Sequence, residues 1–414
     1  MSVVYSTVKT IFNIGFILTY IGISVYVFVY GSTSDYNNIT LKQVFILSRH
    51  GVRTPLAKDL DQMTPKKWPD WNKKPGYLTE KGILLEGYMG KYFSELLNKE
   101  NLLPDYCPKE EEIFIYANVK QRTIESAKAF VNKAFSGCNI TIHQKDHNGI
   151  DPVFNVAIHN SSLSFQKLAL EQMYEQLRPL NLNKSFEDMS HILDYKLSQL
   201  CLIDNECNLI TDLNKIIDVQ VGFKPNIKGP LKICNSAIDA FIMENYEGFP
   251  FNNVAWGQMT ESKWQDIINL SRKYHNVIFN TTLIAKDLSL PLLNYFRNIF
   301  LNDNSTKVTL LMGHDANIYT LINSMSFKPY FLPEQYELAP VSGKIVFQKW
   351  FDEVKKKDLL KISYVYQSTK QLRSGIELSL WNPPQFVTLE LHNCKIDDKG
   401  YCLWDDFVKF LHTL

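Results

Sequence analysis

Two arginines and a histidine are crowded into one short stretch of the chain. The stretch FILSRHGVRTPLA places Arg49, His50 and Arg53 within five positions, directly after an apolar run. Two guanidinium groups beside an imidazole repel one another unless an anion joins them. A solvated basic loop is the ordinary explanation for such a cluster, so the alternative, an anion-binding site, depends on the rest of the sequence.

Two other strand-like segments also end in charged residues. EIFIYAN is followed by Arg122, and KVTLLMG is followed by His314 and Asp315. Both segments are apolar and rich in residues that favour strands, and a helical pattern follows each. In the first helix, TIESAKAFVNKAFSG, Ser126 lies off the apolar face. Taken alone, Arg122 would be a surface residue and Asp315 a helix N-cap.

In an open α/β sheet the ligand crevice lies beyond the carboxyl ends of the strands, where helix N-termini also point. The three strand ends are therefore expected to converge on one site. Each guanidinium can bind two oxygens of a phosphate, so a phosphate dianion is the predicted ligand. The residues expected there are Arg49, His50, Arg53, Arg122, His314 and Asp315.

These residue types allow phosphoryl transfer to an imidazole. With the phosphate held by arginines, His50 can attack phosphorus and form a phosphohistidine that water later hydrolyses. Flanking arginines keep His50 neutral because they disfavour imidazolium. We expect Asp315 to protonate the leaving alcohol and His314 to donate a hydrogen bond to the phosphate. Activity at acidic pH follows, because the donor must be protonated while His50 stays a free base.

Composition limits the other candidate functions. The chain has 414 residues, 45% of them hydrophobic, and a formal net charge of +1. Such a length and apolar content predict one globular unit of two lobes. The charge balance gives no global field toward nucleic acid or an anionic membrane, so anion binding has to be local.

The N-terminus predicts export. Ile11 to Gly31 is an uncharged stretch long enough to cross a bilayer. Residues 1–34 are therefore either a cleaved signal or a membrane tether through residues 11–31. Both alternatives place the chain from about residue 35 onward outside the cytoplasm, in a secreted, periplasmic or membrane-anchored protein.

Cysteine usage agrees with export. All seven cysteines follow the N-terminal segment, which favours disulfides over metal ligands. His143 and His147 have a spacing that occurs in metal sites, but further ligands are not evident, so a solvated loop is expected and no metal is predicted. The predicted pairs are Cys107 with Cys138, Cys201 with Cys207, and Cys394 with Cys402, which leaves Cys234 unpaired.

The motif SRHGVRTP, with a distant GHD, resembles the signature of the histidine acid phosphatases, in their acid phosphatase and phytase branch. Segments such as YANVKQRT, YEGFPFNNVAWG and KISYVYQSTKQLR are similar to the periplasmic glucose-1-phosphatase subfamily. The resemblance covers roughly residues 40–414.

The resemblance implies an α/β fold, with a mixed sheet core, helices on both faces and an inserted, mostly α-helical smaller lobe. The implied core is residues 35–160 and 285–414, and the implied substrate-specificity lobe is residues 161–284. It also implies the roles assigned above to the six site residues, and neither a metal nor an organic cofactor. The implied activity is that of an acid phosphomonoesterase acting on sugar phosphates such as glucose 1-phosphate, with inositol phosphates such as phytate as a further substrate class.

Several alternatives stay open at the level of sequence. A non-catalytic protein of the same fold would bind the phosphate ester without turning it over, although it would have no use for the proton donor Asp315. A mutase would transfer the phosphoryl group to a sugar. The lysines of FKPNIK, within residues 207–230, are expected to be surface residues, unless the substrate carries several phosphates. The sequence does not determine the oligomeric state or the preferred ester.

Overall fold

The computed structural model describes residues 39–414, apart from 104, 179–180, 205–206, 211–213 and 303–304. The hydrophobic stretch at residues 11–31 lies outside the described residues. The prediction of a signal or tether concerns that stretch and stays a prediction. Within the described residues, the helices are all too short or too polar to span a bilayer.

Ten strands and eleven α-helices make up the described part of the chain. The strands are β1 (Ile39–Arg49), β2 (Ile113–Ala117), β3 (Ile142–His143), β4 (Lys215–Asp218), β5 (Asn226–Lys228), β6 (Val308–Gly313), β7 (Lys344–Asp352), β8 (Lys357–Tyr366), β9 (Gln385–Thr388) and β10 (Tyr401–Leu403). The helices are α1 (Glu80–Lys99), α2 (Gln121–Ala134), α3 (Leu163–Leu177), α4 (Asn183–Ile192), α5 (Gln199–Asp204), α6 (Pro230–Glu247), α7 (Glu261–Phe279), α8 (Thr282–Phe300), α9 (Asp315–Ser324), α10 (Thr369–Ser374) and α11 (Trp404–Leu411).

Eight of the strands form one mixed sheet with the order β10-β8-β7-β1-β6-β2-β3, in which β9 also pairs with β8. The neighbouring strands β1, β6, β2 and β3 run parallel, whereas β7 pairs antiparallel with β1. The three strands predicted to end in charged residues are therefore adjacent and parallel. Their carboxyl ends meet at one edge of the sheet, as the sequence predicted.

Alternate residues of β1 pack into two apolar layers on opposite faces of the sheet. Phe45 belongs to a layer with Phe296 of α8 and Phe407 of α11. Ile46 belongs to a second layer, with Phe93 of α1 and Phe130 of α2. Helices therefore cover both faces of the sheet, which confirms the predicted fold class. A strand buried on both faces needs apolar residues at successive positions, which explains the continuous apolar run in β1.

The segment between residues 161 and 284 is mostly helical, as expected. It contains α3 to α7 and a small separate sheet in which β4 pairs with β5. The helix α8 spans the boundary placed at residues 284 and 285. The division of the chain into a core and a specificity lobe at these residues stays a prediction.

Three disulfides join the predicted cysteine pairs, which are Cys107 with Cys138, Cys201 with Cys207, and Cys394 with Cys402. Cys234 is free and buried within α6. Bridges of this kind form and persist in oxidising compartments, so they agree with export from the cytoplasm.

Candidate active site

The carboxyl ends of β1, β2 and β6 lie side by side. The His50 amide donates to the Gly313 carbonyl oxygen at 3.0 Å, and the Asn118 amide donates to that of Met312 at 3.1 Å. The helices α2 and α9 begin within a few residues of these ends. A cavity of about 300 Å³ opens there, and its lining includes His50, Arg53, Arg122, His314 and Asp315.

The tautomer of His50 is set by its own backbone neighbour. Its Nδ1 lies 2.8 Å from the carbonyl oxygen of Gly51, so the proton sits on Nδ1 and the Nε2 lone pair is available. Burial, followed by the charge of Arg122 and the neighbouring His314, holds the pKa of His50 well below its ordinary value. His50 is therefore neutral at mildly acidic pH, and burial contributes more to this than the arginines that the sequence suggested.

Arg49 lies beneath the cavity rather than in its lining, with 1% of its surface exposed. Its Nη1 donates to the Glu337 carboxylate at 2.7 Å and to the Ala339 carbonyl oxygen at 2.6 Å. Its Nη2 lies 3.3 Å from the Asp315 carboxylate. Glu337 thus fixes one end of the guanidinium and leaves the other end directed toward the site.

Arg53 is held in the same way by a carboxylate from α6. Its Nη1 and Nη2 donate to the two oxygens of Asp239 at 2.9 and 2.8 Å. Such a two-point pair fixes the plane of the guanidinium as well as its position. The Arg53 charge holds the pKa of Asp239 below its ordinary value, although burial alone would raise it.

Arg122 and His314 are neighbours in the lining of the cavity. Asn118 Nδ2 donates to His314 Nε2 at 2.7 Å, which leaves the proton on Nδ1, 3.4 Å from Arg122 Nη2. Two donors therefore lie side by side, and one acceptor could satisfy both. Burial and the nearby charge of Arg53 lower the pKa of Arg122 to about 10, as expected for cations crowded without enough counter-charge.

All three arginines keep a buried donor without a partner. The Nε atoms of Arg49, Arg53 and Arg122 are inaccessible to solvent. Among the described residues they have no hydrogen-bond partner. A buried unpaired donor of a charged group costs a few kcal/mol, so such groups are rarely left unsatisfied by chance. The Nε atom of Arg272, away from this cavity, shares the feature, so the case for an anion rests on the grouping of Arg53, Arg122 and His314 in one cavity lining.

Asp315 begins α9 and lies beside Arg49. Burial by itself would favour the protonated carboxyl, but the charge of Arg49, followed by that of His275, holds the pKa of Asp315 well below its ordinary value. The carboxyl is therefore ionised in the free protein. The N-cap of α9 is His314, so the N-cap role that Asp315 would have had by itself is not the one it occupies; one of its oxygens accepts from the Ala316 amide at 2.7 Å.

Two lysines also line the cavity. Lys120 lies at the start of α2, and Lys224 comes from the loop before β5, with its Nζ 4.7 Å from the ring centre of Phe279. Lys224 is an exposed surface residue, as expected for the lysines of FKPNIK, but it also lines the cavity. Lys228 does not line the cavity and is exposed, as expected.

Several residues that shape the site escaped the sequence analysis. Ser126, predicted to lie off the buried face of its helix, is fully buried, and its hydroxyl accepts from the Gly51 amide at 2.9 Å. A Cβ atom on Gly51 would lie 2.9 Å from the carbonyl oxygen of Gly82 in α1, so this glycine is required by packing. Asn118 could have been found, since it directly follows the end of β2, whereas Asp239 and Glu337 carry no local signal.

The predicted solvated histidines, His143 and His147, lie on the exposed surface. Within the described residues there is no group of three or more His, Cys, Asp or Glu side chains placed to hold a metal ion.

Comparison with known proteins places the whole described chain among phosphatases. Residues 40–365 match the family model of the histidine phosphatase superfamily (branch 2). A glucose-1-phosphatase of Providencia rettgeri is 44% identical over 92% of this chain and 93% of its own length. A glucose-1-phosphatase of Salmonella typhimurium is 40% identical over 90% of this chain and 92% of its own length. The apo structure of Hafnia alvei phytase superposes with a TM-score of 0.83 at 28% identity, covering 92% of this chain and 98% of that one.

Proposed function

The chain belongs to branch 2 of the histidine phosphatase superfamily, and from this premise we propose that it hydrolyses small sugar phosphates through a phosphohistidine on His50. Glucose 1-phosphate is the first candidate substrate, because two relatives with that activity in their names are 44% and 40% identical over nearly their whole length. The observation that carries the proposal is the single cavity that brings the neutral imidazole of His50 together with Arg53, Arg122, His314 and Asp315.

In the first step the Nε2 lone pair of His50 forms a bond to phosphorus. The bond between phosphorus and the ester oxygen breaks, and its electron pair stays on that oxygen, which takes a proton from Asp315. The proton on Nδ1 of His50 stays there throughout and is donated in a hydrogen bond to the Gly51 carbonyl oxygen. Arg49, Arg53, Arg122 and His314 donate to the phosphoryl oxygens as their charge changes.

In the second step water attacks the phosphohistidine. Its proton goes to Asp315, the bond between nitrogen and phosphorus breaks, and the electron pair returns to His50. Inorganic phosphate leaves, and both residues regain their starting states. No other group is required to balance the two steps.

The ionised carboxyl of Asp315 has to take up a proton when substrate binds. An incoming phosphate dianion shares the charge of Arg49 and adds a negative charge close to the carboxyl. Both effects raise the pKa of Asp315 and favour its protonated form. Binding therefore prepares the proton donor, and a lower pH assists it.

The two lysines that line the cavity support a second substrate class. Lys120 and Lys224 add positive charge around the space that the leaving group would occupy. Extra anionic groups on that leaving group, as in an inositol phosphate, would gain favourable interactions there. Lys224 lies within residues 161–284, which supports the proposal that this segment acts as the specificity lobe.

We also propose that the protein works outside the cytoplasm, on the basis of its three disulfides. Secretion, release into a periplasm and tethering through residues 11–31 are the alternatives within that proposal.

The activity is tested by phosphate release from glucose 1-phosphate and from inositol hexakisphosphate between pH 4 and pH 8. The proposal expects an acidic optimum, loss of turnover in His50→Ala, and a phosphohistidine trapped by alkaline quench in the unmodified protein. His412→Ala, at an exposed position, is the control. Turnover by His50→Ala at the unmodified rate would rule out the mechanism. Binding without release would favour the non-catalytic alternative, and transfer to an added sugar would favour the mutase.

A further inference from the structure

A second cavity lies away from the catalytic one, between α6, α7, α10 and the loop of residues 331–337. Its volume is about 710 Å³, and its lining shares no residue with that of the catalytic cavity. Small-molecule sites in proteins commonly have volumes of about 300–1,000 Å³ and combine aromatic walls with a few polar groups. The second cavity fits that description.

Aromatic side chains form much of its surface. Trp264 of α7 stacks on Tyr336 with ring centres 4.8 Å apart and planes at 15°. Phe251 and Phe331 at the rim are 72% and 66% exposed. Covering an exposed phenylalanine with an apolar surface lowers the free energy, because apolar area is removed from water. The cavity therefore favours a ligand with a ring or another apolar group.

The cations of this cavity are not neutralised by ion pairs within the described part of the chain. Arg272, Lys370 and Arg373 line it, and none of them forms an ion pair with a carboxylate among the described residues. Arg272 donates to the Tyr336 carbonyl oxygen at 3.0 Å, and Arg373 donates to that of Phe249 at 2.7 Å. Carbonyl oxygens orient the guanidiniums but leave their charge uncompensated.

The cavity also contains two carboxylates, Glu261 and Glu334, so three cations face two anions. The excess positive charge favours a ligand of negative charge. We propose that this cavity is a second binding site, for a ring-bearing organic anion.

The loop that walls the cavity also holds a catalytic-site arginine. Gln335 and Tyr336 line the cavity, while the carboxylate of the next residue, Glu337, accepts from Arg49 in an ion pair. Gln335 is itself fixed, because its Oε1 accepts from the Tyr336 amide at 2.7 Å and from the Tyr246 hydroxyl. A ligand that shifts Tyr336 would therefore shift Glu337. This coupling rests on the proposed role of Arg49, whereas the binding site itself does not.

The site is tested with 8-anilinonaphthalene-1-sulfonate, a ring-bearing anion that fluoresces in apolar surroundings. The full chain is titrated in saturating inorganic phosphate, which occupies the catalytic site. We expect the double variant Phe331→Ser with Lys370→Glu to weaken binding by about tenfold, which corresponds to about 1.4 kcal/mol. Phe386→Ser with Lys357→Glu changes one exposed phenylalanine and one exposed lysine elsewhere and is the matched control. Equal affinities for the two double variants would overturn the proposed site.

The coupling is tested by the same titration without phosphate. Coupling between two sites is reciprocal, so phosphate should change the affinity of the cavity for the dye, by about fivefold or more. The change should disappear in Glu337→Gln, which keeps a hydrogen-bonding side chain but removes the ion pair with Arg49. Unchanged dye affinity with and without phosphate would overturn the coupling. Neither measurement depends on turnover, so failure of the proposed activity would be seen separately.

Discussion

The carboxylate of Asp315 lies 3.3 Å from the guanidinium of Arg49. Arg49 thus bridges the candidate proton donor and Glu337, whose carboxylate lies on its other side. An anion that binds Arg49 competes with Asp315 for the same charge. The arrangement would link occupation of the proposed phosphate site to the protonation state of the proposed proton donor.

The role of Asp315 is tested by changing the leaving group. Asp315→Asn should lower kcat for glucose 1-phosphate by a factor of about 10²–10⁴, the usual contribution of a general acid. The loss should be much smaller for p-nitrophenyl phosphate, because its leaving phenolate needs little protonation. Steady-state kinetics on both esters make each substrate the control for the other. Equal losses would show that Asp315 acts in some other way.

The pair between Asp239 and Arg53 is expected to be important for stability as well as for activity. Asp239→Asn leaves a buried guanidinium without a counter-charge, so we expect a loss of about 2–3 kcal/mol in the free energy of unfolding and a lower kcat/KM. Chemical denaturation measures the first effect. Asp266→Asn breaks an ion pair with the largely exposed Lys184 and should cost less than about 1 kcal/mol. Similar costs for both variants would contradict the assignment.

Lys224 is expected to select for phosphorylated leaving groups. Lys224→Met should lower kcat/KM for inositol hexakisphosphate by about tenfold, as expected for the loss of one charged hydrogen bond. The effect on glucose 1-phosphate, whose leaving group is uncharged, should be much smaller. Lys228→Met changes an exposed lysine four positions later that does not line the cavity. A uniform effect of Lys224→Met on both substrates would argue against a role in specificity.

His275 should make the fold less stable in acid. Burial lowers the pKa of His275 to about 4, so between pH 6.5 and pH 4 the unfolded chain takes up a proton that the folded protein does not. The free energy of unfolding therefore falls as the pH drops through this window. We expect His275→Gln to reduce that fall by roughly 2–3 kcal/mol. Denaturation across the pH range measures it, and the same substitution at exposed His412 is the control. An unchanged pH dependence would contradict the prediction.

The disulfide between Cys107 and Cys138 should stabilise the fold more than the two short ones. It closes a loop with a separation of 31 residues, against 8 for the bridge between Cys394 and Cys402. Loop entropy then predicts costs of about 3.7 and 2.5 kcal/mol when each pair is replaced by serines. Thermal unfolding of the two double variants compares them. A larger loss for the short loop would show that local packing dominates.

The catalytic cluster could be predicted because each of its signals is local. A short apolar strand with charged residues at its end is visible within about ten positions, and the parallel order of three such strands follows from general rules for α/β sheets. The tautomer of His50 and the burial of Arg49 beneath the cavity could not be predicted in this way. Both depend on neighbours that only the folded sheet supplies.

The two carboxylates that pair with the arginines could not be predicted from the sequence. Asp239 lies 186 residues from Arg53, and Glu337 lies 288 residues from Arg49. One is an ordinary polar residue in an amphipathic helix and the other is part of a loop, and nothing near either residue marks a partner. The place of Lys224 in the cavity lining could not be predicted for the same reason, since a lysine in a loop is usually solvated.

The parallel pairing of β1 with β6 joins Val44 to Val308 and so closes the chain over most of its length. A contact between such distant residues forms late and slowly in folding, because the entropy of the intervening chain opposes it. The imidazole of His50 meets His314 only after this closure. Recovery of enzymatic activity during refolding should therefore report completion of the whole sheet. A chain still being exported would have no activity until its last third had emerged.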